Sequence, residues 1–147
     1  MKLLSFLQDV GPDHRGRFLS DIWQFSDDDI DHTHDFIQWV FPLDEPRGAQ
    51  PDAPVLEPAE IDLIHKSGPA TMNVERSTEW FLGFLSRSQR WLVPHDHNHL
   101  RITQMIKSNR LLLGELAAES VRAKVLKLGQ KAGGKISEES IAYWRSA

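Results

Sequence analysis

The residues of this sequence with the most chemistry to offer are its histidines and a cluster of aspartates. His95-Asp96-His97-Asn98-His99 sets three imidazoles at alternate positions, and Asp31-His32-Thr33-His34-Asp35 sets two more beside carboxylates. Nitrogen and oxygen donors of this kind bind zinc or manganese, and His95, His97 and His99 would then serve a metal-dependent enzyme. Alternate spacing converges on one ion only along an extended segment, however, and a helix begins near Asn98. Within a helix His97 and His99 diverge by about 200°. The competing reading has these imidazoles capping the helix or hydrogen-bonding locally. Asp27, Asp28, Asp29 and Asp31 would supply a carboxylate pair, but aspartates at a helix start mostly answer the positive end of its dipole.

The usual catalytic sets are missing. There is no glycine-rich phosphate loop, no nucleophile elbow and no helix carrying His-Glu-x-x-His. The absence of cysteine removes disulfides, thiolate zinc sites, iron–sulfur ligation and a thiol nucleophile together. No cofactor, metal or catalytic residue is therefore assigned. Cations are more plentiful: Arg101, Lys107 and Arg110 occupy one helix, and Lys124, Lys127 and Lys131 share a face of the next. Such a stripe touches phosphates in nucleic-acid binders, which makes nucleic-acid binding through the basic C-terminal half an alternative function, although a pI near 5.9 weighs against a dedicated one.

Charge is unevenly spread. Residues 1–75 hold 5 Lys/Arg against 15 Asp/Glu, and residues 76–147 hold 12 against 6, so a formal charge of −4 conceals halves of −10 and +6. Either the halves lie against one another or the basic half faces an anionic partner. With 147 residues, 40% of them hydrophobic, the chain has the size and apolar content of one self-folding domain, taken here as residues 1–147. Asp9 interrupts the first apolar stretch too early for a secretory signal, and no apolar run approaches the ~20 residues of a spanning helix, so a cytoplasmic location without a membrane span is expected.

The elements that must position these groups are all helical. Phe18, Leu19, Ile22 and Trp23 mark one face of a short helix. Ser26 caps another, in which Ile30, Thr33, His34, Ile37 and Phe41 continue at helical spacing until Pro42. Pro42, Pro46, Pro51 and Pro54 then impose an extended crossing over the surface. Pro58 opens a short helix that Gly68-Pro69 ends, and Thr71 to about Leu92 forms a long core helix through Met72, Trp80, Phe81, Phe84, Leu85 and Trp91. The next helix runs from about Asn98, its N-cap, to Gly114, with Leu100, Ile102, Thr103, Ile106 and Leu113 as its apolar face. Helices from about Leu116 to Gly129 and from Ser137 onward complete the chain. No segment alternates as a strand does, and the expectation is an all-α fold of about six or seven helices.

Three stretches in order resemble one family. Thr33-His34-Asp35-Phe36-Ile37-Gln38-Trp39-Val40-Phe41-Pro42-Leu43-Asp44-Glu45-Pro46 is similar to the His, then Ile-Gln-Trp-Leu-Phe-Pro-Leu hallmark of the opioid growth factor receptor conserved domain. Phe81-Leu82-Gly83-Phe84 matches its Leu-Gly-Phe element, and His97-Asn98-His99-Leu100-Arg101-Ile102-Thr103-Gln104-Met105-Ile106-Lys107-Ser108 resembles its His-Asn-x-Leu-Arg-Ile-Thr-Arg-Ile-Leu-Lys-Ser helix. Gln104 departs from the pattern by replacing an arginine. The resemblance implies an all-helical domain and, in animal members, a receptor for the opioid peptide Met-enkephalin, with no catalytic residue. The long repeat tail and nuclear-import signals of animal members find no counterpart in this sequence, so the implied member is a compact, prokaryotic-type one. From the residues themselves, Gln38 and Asn98 would satisfy backbone groups while Trp39 anchors the proline crossing, which makes both motifs scaffold. The functional alternative is a noncatalytic module that binds a peptide or protein in a groove formed by Gln38, Trp39, His97, Asn98, Arg101 and Lys107.

Overall fold

Ser26, Ser67, Asp96 and Ser137 each sit on extended backbone and accept a first-turn amide on a side-chain oxygen, so four helices start at residues that satisfy their orphan donors. In the computed structural model, which describes residues 1–46, 50 and 52–147, these are α3 (Asp27–His32), α6 (Gly68–Arg87), α7 (His97–Leu113) and α9 (Glu138–Ser146). The others are α1 (Lys2–Leu7), α2 (Leu19–Ile22), α4 (Ile37–Val40), α5 (Pro58–His65) and α8 (Glu115–Gly129), with a 3₁₀ turn at Gln130–Ala132. The fold is all-α, and among the described residues there is no strand. Pro51 of the proline crossing lies outside the described residues.

Helix α7 is the central rod, packed by α5, α6, α8 and α9. Its Ile102, Met105 and Ile106 meet Phe81, Phe84 and Leu85 of α6, Val121 and Val125 of α8 and Trp144 of α9 in one apolar core that also takes in Phe6, Leu19, Phe36, Val40 and Phe41. Each such side chain contributes about 1.5–3 kcal/mol by leaving water. The inward face of α7 is nevertheless half polar. Asn98, His99, Arg101, Gln104, Ser108 and Asn109 are buried, whereas Leu100, expected inside, points to solvent.

Four expectations change. The helix from Ser26 to Phe41 is two helices, broken at Thr33, whose backbone is extended (φ −94°, ψ 123°). The carbonyls of Ile30 and Thr33, which a continuous helix would bond to amides four residues on, instead accept from the Arg101 guanidinium, at 2.6 Å each. Gly68-Pro69 starts a helix rather than ending one, because Ser67 caps it and a proline in the first turn lacks only an amide that had no partner. Helix α6 stops at Arg87, so Trp91 lies beyond it, buried and donating its indole N–H to Leu85 O at 2.9 Å, while Met72 is exposed. Asp96, not Asn98, is the N-cap of α7, its carboxylate accepting from Asn98 N at 3.0 Å. The splitting of the acidic helix into α3 and α4 adds one helix, and among the described residues the count exceeds the six or seven expected.

Candidate functional site: a cleft beside Trp39

The hallmark segment around Trp39 is held from behind by α7. Arg101 donates to Ile30 O and Thr33 O, approaches His34 Nδ1 (3.3 Å), and lies over the Phe36 ring at 5.3 Å. One turn later the Gln104 amide donates to Phe41 O at 2.9 Å. These bonds pin the two ends of a stretch whose own helix is only four residues long, so Asp35, Gln38 and Trp39 are positioned by a neighbouring helix. Burial lowers the Arg101 pKa to about 10, opposed by the carboxylates of Asp31 and Asp96, so the guanidinium stays charged at neutral pH.

From the front, the segment meets a turn built on Asp13. The buried Asp13 carboxylate accepts from the amides of Arg15 (2.8 Å) and Arg17 (2.9 Å), and Gly16, at φ +77°, supplies the left-handed conformation that closes the turn. Arg17 is fixed by Nε to Asp13 at 2.7 Å and reaches Asp35 with Nη1 at 3.0 Å; Arg15 Nε lies 3.1 Å and His14 Nε2 3.5 Å from the same carboxylate. Burial alone would raise the Asp35 pKa, but the Arg17 hydrogen bond and the Arg17, Arg15 and His14 charges outweigh it and hold the group below its ordinary range. The His14 ring lies parallel to the Trp39 indole, centroids 5.9 Å apart and planes 8° apart, while Phe6 packs its edge on Trp39 from inside.

His14, Asp35, Gln38 and Trp39, with Gln50, Asp52 and Ala53 opposite, enclose a cleft of about 280 Å³. It offers an aromatic wall, two amides and two carboxylates, of which Asp35 is already paired. That suits an apolar or aromatic side chain together with a cationic group, and the volume accommodates a residue or two rather than a long segment.

The six residues expected to form one groove do not all meet there. Gln38 and Trp39 line the cleft. Asn98 and Arg101 are buried behind it, and His97 and Lys107 lie elsewhere on the surface of α7. Asn98 Nδ2 donates to Asp31 Oδ1 at 2.9 Å, Arg90 Nη1 reaches Asp31 Oδ2 at 3.0 Å, and His97 Nε2 lies 2.9 Å from Asp31 O. Lys107 pairs with Glu45 at 3.3 Å in the open. The alternating histidines diverge: His99 is buried with Nε2 donating to Trp91 O (2.7 Å) and Nδ1 accepting from Ser140 Oγ (2.8 Å), leaving no free ring nitrogen, and His95 faces solvent. Among the described residues no group of three or more His, Asp or Glu is placed to hold a metal. Sequence reasoning missed His14, Arg15 and Arg17; the Asp-x-Arg-Gly-Arg spacing, an aspartate able to bond amides two and four residues on before a glycine, was the available signal.

These charges predict an acid limb. Asp31 resembles Asp35: burial raises it, but the hydrogen bonds from Asn98 and Arg90 and the His97 and His32 charges prevail, and its pKa is lowered. A carboxyl lowered on folding adds stability that is complete above its unfolded pKa of about 3.9 and disappears as pH falls through the folded value. His34, lowered by burial and by the Arg101 charge, adds a shallower decline that begins below about pH 6.5, since the unfolded chain takes up a proton the folded one resists. The urea midpoint should thus fall gently from neutrality and steeply below about pH 4. Asp31→Asn and Asp35→Asn should each flatten the steep limb; an unchanged slope in both would place the linked protons elsewhere.

The opioid growth factor receptor conserved region matches residues 14–89, just over half of the chain and the stretch that contains every residue lining the cleft. The chain belongs to the opioid growth factor receptor conserved-region family. It is 32% identical to the rat opioid growth factor receptor across 76% of this chain and 22% of the rat protein, and 32% identical to the human one across 76% and 19%. The mouse opioid growth factor receptor-like protein 1 is 30% identical across 71% of this chain and 25% of that protein. The chain thus spans about a fifth to a quarter of the length of these relatives. No solved structure matches it. Within the family stretch lie the Asp13-based turn from His14 onward, the α3–α4 break and α6, whereas Arg101, which clamps that break, and Gln104, which holds Phe41 O after α4, lie beyond it.

Proposed function

We propose that this protein is a noncatalytic binding module that takes a peptide or protein segment in the Trp39 cleft. The observation that carries this is the placement, wholly inside the family stretch, of an indole wall beside carboxylates on a segment clamped from both sides. The relatives are named as receptors of the opioid growth factor, and a short peptide with an aromatic side chain near a free amino terminus fits what the cleft offers: contact with the exposed His14 ring and the uncovered edge of Trp39, and an ammonium against Asp52. A noncatalytic role is supported by Asp35, whose lowered pKa is unlike that of a proton carrier working near neutrality.

Titration calorimetry with Met-enkephalin and with unrelated peptides of the same length tests it. His14 and Asp52 are exposed, so His14→Ala with Asp52→Asn should leave the fold intact while weakening binding by about tenfold, ~1.4 kcal/mol. Lys107→Gln, away from the cleft, should change nothing. If no short peptide releases heat, or if the cleft variant binds as tightly as the parent, the reading fails.

A further inference from the structure

The two charge halves meet in part. Arg87 bonds Asp27 through two nitrogens (2.9 and 3.0 Å), Arg90 reaches Asp31, and Lys107 reaches Glu45, so the N-terminal acids are matched by cations of α6, α7 and the turn between them. Helix α8 and the 3₁₀ turn are different. Among the described residues Lys124, Lys127 and Lys131 enter no ion pair. They stand on one exposed rim of an open groove of about 680 Å³, whose floor is Leu128 of α8 and Leu82 of α6, both half-buried, with Gln130 at one end. No carboxylate lines it, and it shares no residue with the Trp39 cleft.

Apolar floor and cationic rim together select the occupant. A nucleic-acid backbone would find ammonium groups but nothing to gain from two leucines; a neutral apolar segment would leave three lysines unmatched. An amphipathic helix with leucine-like residues at i, i+3/i+4 and i+7 answers both, laying its ridge along the seam between α6 and α8 and its flanking carboxylates against lysines spaced by the same helical repeat. We propose that this groove docks an acidic amphipathic helix of a partner protein, independently of the Trp39 cleft. The salt bridges formed at the rim are solvent-exposed, so they set orientation and salt sensitivity, while the leucines supply the apolar burial.

The probe is a fluorescein-labelled peptide of about five helical turns, roughly 18 residues, with leucine along one helical face and glutamate on its flanks. Against the full chain it should give a saturable rise in anisotropy, and a scramble of identical composition should bind at least about tenfold more weakly. Lys124→Glu with Lys127→Glu and Lys131→Glu should weaken binding by more than about tenfold at an unchanged thermal midpoint, because all three side chains are exposed. The His14 and Asp52 variant should bind as the parent does, which separates failure here from failure at the Trp39 cleft. Equal binding of peptide and scramble would reduce the groove to plain charge attraction and overturn the proposal. So would displacement of the peptide by a generic DNA duplex or by phosphatidylserine vesicles that bind this face more tightly, or no binding at all.

Discussion

Arg101→Leu should lower the unfolding free energy by about 3–5 kcal/mol and the thermal midpoint by roughly 10–15 °C. The guanidinium serves two carbonyls that no helix amide reaches, Ile30 O and Thr33 O, and it does so at a residue only 6% exposed. Leucine fills much of the space, but it leaves both carbonyls desolvated and unpaired. Each such loss of a charge-assisted hydrogen bond costs about 1.5–3 kcal/mol. Arg101→Lys keeps the charge and loses the fork, so one ammonium must choose between carbonyls presented to two separate nitrogens; about half of the full penalty is expected. Urea unfolding of the three proteins measures this directly. Because Arg101 holds the link on which Asp35 and Trp39 are mounted, Arg101→Lys should also weaken binding at the cleft under conditions where it remains folded. A leucine variant as stable as the parent would show that the α3–α4 break is maintained by something other than this clamp.

Trp144→Ala should be of similar or greater size, about 4–5 kcal/mol. Trp144 is 1% exposed, packs edge-on against Trp91 and His99 with centroids at 6.2 and 5.3 Å, and donates its indole N–H to His99 O at 3.0 Å. Truncation opens a cavity between α7 and α9 and orphans that carbonyl. Gly129 leaves room for Ile136 beside this ring: a Cβ there would lie a tight 3.3 Å from Ile136, and an ordinary 4.0 Å from Trp144. Arg122, whose Nε and Nη2 hold Trp144 O and Ala147 O, ties the same helix to α8, so the damage should be confined at first to α9. Hydrogen exchange should show α9 amides losing protection well before those of α6. Uniform loss across all helices would mean that α9 unfolds only with the whole domain. Trp144→Phe, which keeps most of the ring volume but lacks the N–H, should cost about 1–2 kcal/mol.

Local chemistry was legible wherever it acts within a few residues. The serine caps at Ser26 and Ser137 and the glycine after α7 satisfy or terminate backbone within one turn, and each appears in the structure where the sequence places it. Helix α7 shows why the rest was hidden. Hydrophobic periodicity assigns its inward face by apolar residues, but Asn98, His99, Arg101, Gln104 and Asn109 are inward because they bond Asp31, Trp91 O, Ile30 O, Phe41 O and Thr78 Oγ1, all more than five residues away in the chain. The same long-range bonds break the acidic helix at Thr33, a residue of unremarkable local preference.

The candidate site divides in the same manner. Trp39 and Gln38 stood out in the sequence through the family hallmark, and their place at the cleft follows. His14 and Asp35 become its neighbours only because a turn built on Asp13 delivers Arg15 and Arg17 to Asp35 across a chain separation of about 20 residues, a pairing that no local pattern encodes. By itself the sequence determined the helical class, the family and the charge of each half, since helix periodicity, motif order and charge are properties of neighbouring residues. Tertiary structure alone decided which polar groups are buried clamps and which face a cleft, because a buried donor takes the acceptor that folding leaves without water, wherever along the chain that acceptor lies.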